Sequence, residues 1–211
     1  MLQVGQIVKS SYQITEQIGT GGSGTVFKAK QLSIDRDVAI KLIHENVKSI
    51  VDVRAEVNIL KNLKHSYLPV IIDFIEDEDN VYTVMEYIHG TDFQALVNGG
   101  KMFDEKEVCR YMIQLCDAVE YLHSQNPHII HSDIKPANIM LTVDDNICLI
   151  DFNISTVSSD GRAVSYGGSN GFAAPEQFKR VISKPIDADS FHEKTRFIRS
   201  DETEFAFNEA E

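Results

Sequence analysis

The sequence predicts an α+β fold of two unequal lobes: an antiparallel five-stranded sheet with one helix, then a mainly helical part. Three observations lead there. Short runs of alternating polar and apolar residues fill the first 87 positions, interrupted by a single helical stretch. A long helical period follows, from Asp104 to Leu122. Beyond it lies His131-Ser132-Asp133-Ile134-Lys135-Pro136-Ala137-Asn138, with Asp151 a short hairpin further on. That group holds a base, a cation and two oxygen ligands suited to a hard metal ion.

Composition narrows the class. A chain of 211 residues can bury one large core or two small ones. With 43% hydrophobic and 25% charged residues it reads as soluble and globular. It has no apolar run long enough to span a bilayer, and Met1 to Gln6 has neither a basic segment nor an apolar signal core. A net charge of -12 argues against nucleic acid or a membrane surface as the main partner, but a local basic site can still hold a nucleotide. Cys109, Cys116 and Cys148 are scattered and read as reduced thiols of a cytoplasmic protein.

The first strand is Tyr12 to Ile18. Gly19-Thr20-Gly21-Gly22-Ser23-Gly24-Thr25-Val26 then runs into a second strand, Phe27 to Lys30. The glycines therefore sit in a hairpin. A dinucleotide-binding fingerprint would need a helix after them, and a Walker loop would need Gly-Lys-Ser/Thr. Without a Cβ, such a hairpin can lay its amides over phosphates. Asp37 to Ile43 is the third strand. Lys41 inside it must either reach water or find a partner. From Ile50 to Leu63, Val53, Val57, Leu60 and Leu63 share one helical face and Glu56 falls among them, so Glu56 is the natural counter-ion. Val70 to Ile75 and Val81 to Tyr87 complete the sheet around the acidic turn Glu76 to Asn80. Residues 1–85 form the first lobe and 86–90 the hinge.

Asp92 to Asn98 is a short helix stopped by Gly99-Gly100. Asp104 caps the long helix, with Glu107 completing a capping box. Val108, Tyr111, Met112, Leu115, Val119 and Leu122 form its core stripe. Ile129-Ile130 is a short strand. Ile139 to Val143 and Ile147 to Ile150 form a hairpin that brings Asp151 back beside Asn138. Asp151 to Glu176 lacks periodicity and reads as a long loop, functional or disordered. Residues 91–180 make a partial second lobe, and 181–211 an acidic tail.

On these motifs the chain resembles the Hanks-type, eukaryotic-like Ser/Thr protein kinases over about residues 8–180. Gly19 to Val26 matches G-x-G-x-x-G-x-V, and Val38-Ala39-Ile40-Lys41 matches V-A-I-K. His131 to Asn138 matches the catalytic loop, Asp151-Phe152-Asn153 matches D-F-G, and Ala174-Pro175-Glu176 matches A-P-E. The resemblance implies a protein-kinase-like fold that transfers the ATP γ-phosphoryl group to protein Ser/Thr hydroxyls, itself included, with Mg²⁺ or Mn²⁺. It implies that Gly19, Gly21, Gly22, Gly24 and Val26 cover ATP, with Val26, Ala39 and Met140 around adenine. Met85, Glu86 and Ile88 would line the hinge edge. Lys41, paired with Glu56, would hold the α/β-phosphates. Asp133 would accept the hydroxyl proton, Lys135 would neutralise the γ-phosphate, and Asn138 and Asp151 would bind the metal. Leu60, Ile71, His131 and Phe152 would form a packed column between the lobes.

Three departures matter. Ser132 replaces the arginine that grips a phosphorylated activation loop, which implies activity without loop phosphorylation. Asn153 replaces glycine, a mild change. Nothing in Ile186 to Glu211 matches the helices that continue the larger lobe, so the C-lobe reads as shortened and Glu176 lacks its usual arginine. A shortened lobe would expose part of the 104–124 helix, implying a homodimer or a partner protein over it. Two other functions compete: an ATP-binding, pseudokinase-like regulatory module, and a small-molecule phosphotransferase. All six polar positions are present, against the first. Lys135 and the Gly168 to Glu176 run, with Ser169 near Asp133, speak against the second.

Overall fold

Strands rich in β-branched and aromatic residues pair into a six-stranded antiparallel sheet in the order β1-β2-β3-β4-β6-β5. The computed structural model describes residues 2–21, 24–44, 60–77, 80–126, 128–151, 155–156, 169 and 171–173. The strands are β1 (Ile7–Val8), β2 (Tyr12–Thr20), β3 (Gly24–Gln31), β4 (Arg36–Ile43), β5 (Ile71–Asp77) and β6 (Asn80–Glu86). The sequence predicts five. The sixth, β1, pairs Ile7 with Gln13 and Val8 with Tyr12. Two residues show no alternation, so it has no readable period. One face of this sheet packs Tyr12, Ile14, Phe27, Val38, Ile40, Ile75, Tyr82 and Val84 into a core. Each large apolar side chain buried there contributes about 1.5–3 kcal/mol relative to exposure.

After β6 the chain passes through Tyr87, Ile88 and His89 into β7 (Gly90–Asp92). This strand joins a second sheet, ordered β10-β9-β7, with β9 (Ile139–Thr142) and β10 (Ile147–Leu149). Gly90 is required there, because a Cβ would lie 2.2 Å from the Leu141 carbonyl oxygen. A third ladder pairs β8 (Ile129–Ile130) with β11 (Ser155–Thr156).

Helix α1 (Phe93–Asn98) starts one residue later than expected. Asp92 is its cap and its carboxylate accepts from the Ala95 amide at 2.8 Å. It ends at Gly99, and Gly100 supplies the positive φ of 83°. Helix α2 (Glu105–His123) carries the expected capping box: Asp104 accepts from the Glu107 amide at 2.8 Å and Glu107 from the Asp104 amide at 2.9 Å.

The buried face of α2 is Tyr111, Gln114, Leu115, Ala118 and Leu122, which corrects the predicted stripe. These apolar residues join Leu60, Leu63, Leu68, Ile129, Ile147 and Leu149 in a second core. Val108 and Met112 are exposed, at 45% and 49%. The reason is that α2 leans on the β9–β10 hairpin from one side. Gln114 is buried because both ends of its amide are used: it donates to Asn146 Oδ1 at 2.8 Å and accepts from the Ile147 amide at 2.9 Å. Tyr111 donates to Asp145 at 2.6 Å, and burial together with that bond pushes its phenol up to about 12. Cys109 and Cys116 are exposed free thiols and Cys148 is buried.

Several expectations fall outside the described residues: Gly22, the helix up to its last turn with Glu56, Phe152, Asn153, Ala174 to Glu176 and the 181–211 tail. Leu60 and Leu63, at the end of the expected helix, are buried in the second core.

Candidate active site

His131, directly after β8, is 2% exposed. Its Nε2 lies 3.0 Å from the Ile150 carbonyl, and its Nδ1 faces the Asp133 amide at 3.4 Å. A neutral ring protonated at Nε2 satisfies both contacts. Burial lowers its pKa, consistent with that form. Ser132 then takes a positive φ of 64°, turning the chain so that Asp133 points inward.

Asp133 is the centre of the cluster. Its Oδ2 accepts from Lys135 Nζ at 2.7 Å and from Asn138 Nδ2 at 3.1 Å. Its Oδ1 is buried and has no hydrogen-bond partner among the described residues. An unpaired buried carboxylate oxygen costs free energy unless a ligand group completes it. Burial alone would raise this carboxyl. Lys135, the neighbouring Ser169 hydroxyl and Asn138 outweigh burial and hold it below its ordinary value. Asp133 therefore stays ionised near neutral pH.

Pro136 opens a single 3-10 turn, Pro136–Asn138, where its missing amide costs nothing. That turn swings Asn138 back under Asp133, with Asn138 Nδ2 also donating to the Asp133 carbonyl at 2.8 Å. The amide nitrogen is thus committed to Asp133, which directs the amide oxygen away from it. The β9–β10 hairpin then returns the chain, and the Ile150 amide donates to the Asn138 carbonyl at 2.9 Å. Asp151 follows with φ of 61°. Lys135 Nζ also donates to Ser169 Oγ, drawing a residue of the long loop against the cluster.

From the first sheet, Lys41 on β4 reaches across and its Nζ donates to Asp151 Oδ1. The Lys41 side chain is 12% exposed and that of Asp151 31%. The expected partner Glu56 lies outside the described residues. Sequence reading does not foresee the Lys41–Asp151 bond, because 110 residues separate the two and no local pattern reports it.

The glycine hairpin closes with Gly21 N donating to the Gly24 carbonyl at 2.9 Å. A Cβ at Gly19 or Gly21 would meet nothing within 4 Å, so the space over this backbone is open to a ligand. Gly24 differs, since its Cβ would lie 2.3 Å from the Leu42 carbonyl oxygen. Val26 sits opposite Lys41 in the ladder, Ala39 opposite Met85, and Val38 opposite Glu86. Ala39 is buried, Met85 and Ile88 are half-buried, and Glu86 is exposed. On the second sheet Met140 pairs with Asp92 and Cys148. Sequence reading passed over Thr25, whose hydroxyl lies 3.1 Å from both Thr20 Oγ1 and His44 Nε2. Flanked by Gly24 and Val26, it looks like any strand residue.

Among the described residues no three His, Cys, Asp or Glu side chains are placed to hold a metal ion. A cation here would rest on two protein oxygens, from Asn138 and Asp151, with the remaining ligands from phosphate and water. That donor set fits Mg²⁺, which keeps phosphates and waters rather than all-protein cages.

A model of the protein kinase domain matches residues 12–191. The chain is 33% identical over 171 residues to a carbon catabolite-derepressing protein kinase of Saccharomyces cerevisiae, covering 79% of this chain and 26% of that protein. It is 31% identical over 169 residues to an Aurora kinase of Schizosaccharomyces pombe, covering 78% and 47%. A probable serine/threonine-protein kinase of Clostridium acetobutylicum is 29% identical over 191 residues, covering 87% and 28%. The chain thus spans between about a quarter and a half of the length of these relatives.

Proposed function

The chain belongs to the protein kinase family, and from that premise we propose that it transfers the γ-phosphoryl group of ATP to Ser/Thr hydroxyls of protein substrates. The observation that carries this reading is Asp133: an ionised, buried carboxylate with one oxygen paired to Lys135 and the other without a partner among the described residues. When bound, Mg-ATP supplies the transferable phosphoryl group and a metal charge that offsets the phosphates. Gly19, Gly21, Gly24 and Val26 would cover it, Ala39, Met85, Glu86, Ile88 and Met140 would flank the base, and Lys41 would hold the α/β-phosphates. Asn138 and Asp151 would carry the metal. Asp133 would orient the incoming hydroxyl and take its proton, a contribution of about 10²–10⁴-fold. Lys135 would offset charge on the γ-phosphate and steady Ser169 of the substrate-side loop.

Residues 86–90 would serve as the hinge between the lobes. No described helix is long and apolar enough to cross a membrane, and we place the chain in the cytoplasm, where ATP is abundant. The exposed apolar face of α2 supports a contact there with another protein molecule.

Radiolabelled ATP with the wild type and Asp133→Ala tests the main reading. Incorporation into protein that vanishes in the variant is expected. ATP binding without transfer would instead make this a regulatory module, and transfer to added metabolites alone a small-molecule phosphotransferase.

A further inference from the structure

Five exposed positions on one side of the helix, Val108, Cys109, Met112, Ile113 and Cys116, leave α2 with an apolar band away from its hairpin contact. Ile113 is 70% exposed. The spacing is heptad-like. Cys109, Met112, Cys116 and the half-buried Val119 fall on a seam of alternating three- and four-residue steps, and Lys106, Ile113 and Glu120 recur along one edge of it. From Val108 to Val119 the seam is about 17 Å long at 1.5 Å per residue. That is long enough for one helix to lie along another.

We propose that this face binds the same face of a second copy, the two α2 helices running antiparallel about a twofold axis. The proposal rests on the reading of the face as a protein contact and adds its occupant and direction. Charge decides both. When Cys109 faces Val119 of the second copy and Met112 faces its Cys116, the edge residues fall into register. Lys106 then meets Glu120 and Ile113 meets Ile113. Glu105 at one end of the seam meets His123 at the other. Symmetry makes every unlike pair occur twice. A parallel arrangement would instead set Glu105 against Glu105. It would also leave Lys106 and Glu120 without each other, since same-numbered positions then share a level. The helix is thus complementary to its own reverse.

Sedimentation equilibrium of the full chain, with circular dichroism and ATP binding as controls for folding, tests this. A dimer is expected. Ile113→Asp should weaken it about tenfold or more, since it sets two carboxylates against each other where two apolar side chains would be buried. Lys106→Glu and Glu120→Lys should each weaken it about threefold or more, and the double reversal should restore it to within about twofold. A dimer sensitive to Ile113→Asp but not restored by the double reversal overturns the antiparallel packing and leaves the protein contact standing. A chain that stays monomeric to about 100 μM, well above ordinary dimer affinities, overturns the proposal together with the contact reading. So does a dimer indifferent to Ile113→Asp. A monomer that dimerises once residues 174–211 are removed also overturns it, with the chain's own C-terminal stretch as the occupant.

Discussion

Lys41 and Asp151 are bonded to each other across the gap between the two sheets. In this arrangement Lys41 of the first sheet neutralises the carboxylate that follows the hairpin. Under the proposed function a metal-nucleotide complex would offer each a new partner: phosphate for Lys41, the metal ion for Asp151.

Binding should therefore be linked to stability. Mg²⁺ with ATP should raise the melting temperature of the wild type, by about 2.7 kcal/mol of stabilisation at a hundredfold excess over Kd. Asp151→Asn should lose most of the Mg²⁺-dependent part of that rise, and Lys41→Met should lower transfer by about 10²-fold or more. An equal Mg²⁺ effect in wild type and Asp151→Asn, read by thermal melts with and without EDTA, would refute the assignment.

Buried His131 gives stability a pH dependence near neutrality. Burial lowers its pKa from the ordinary 6.5, so between those two values the unfolded chain binds more protons than the folded one. Its contribution is complete above about pH 6.5 and is lost as pH falls through the lower, folded value. Asp133 acts in a separate acid window: its depressed carboxyl stabilises the fold above the ordinary 3.8 and ceases to do so as pH falls through its folded value. Denaturant midpoints from pH 8 to pH 5 should fall in the wild type and stay flatter in His131→Gln, because this variant has nothing to protonate at that site. Parallel curves for the two proteins would contradict the account.

Two glycines of different kinds should separate. Gly90→Ala places a methyl 2.2 Å from a backbone oxygen that a paired strand holds in place. A loss of about 1–3 kcal/mol in unfolding free energy is expected, as for other overpacked sites. Gly19→Ala meets open space and should leave stability within about 0.5 kcal/mol of the wild type while weakening nucleotide binding. Chemical denaturation and ATP titration of both variants decide between these outcomes.

Much of this was legible in the sequence because it is local. The capping box at Asp104 and Glu107, the glycine hairpin and the short return from Asn138 to Asp151 each span a few residues whose types dictate their geometry. What escaped depends on long-range placement. β1 is too short for a period. The sequence pattern places the buried side of α2 part of a turn away from where it lies, because Val108 and Met112 are as apolar as Leu115. The deciding residue is Gln114, whose partners lie more than thirty positions away. The Lys41–Asp151 bond is likewise set by how two sheets are held together, which no window of sequence contains.

Ser132 sits where an arginine would bind a phosphorylated loop, and its positive φ of 64° is part of how Asp133 is aimed. A neutral hydroxyl brings one donor and no positive charge, whereas an arginine would bring a cationic fork of donors to a phosphate. Phosphatase-treated and untreated protein should therefore transfer phosphate at rates within about twofold, a difference that charge-assisted loop ordering would greatly exceed. A large drop after treatment would show that some other residue reads the phosphate.

β6 ends at Glu86 and β7 begins at Gly90, so three residues join a ladder of one sheet to a ladder of the other. Those three are not slack. The His89 carbonyl accepts from the Val143 amide at 3.1 Å, and the Tyr87 ring stands edge-on to His89 beneath the Lys28 ammonium. A change in the angle between the sheets would draw on the few soft torsions of Tyr87, Ile88 and His89, together with those of the stretch from Leu68 to Ile71. As the proposed hinge, this joint would work like a door on a short pin: the mouth would widen by turning rather than by sliding, and departure of a product from the cluster would wait on a twist rather than a shear.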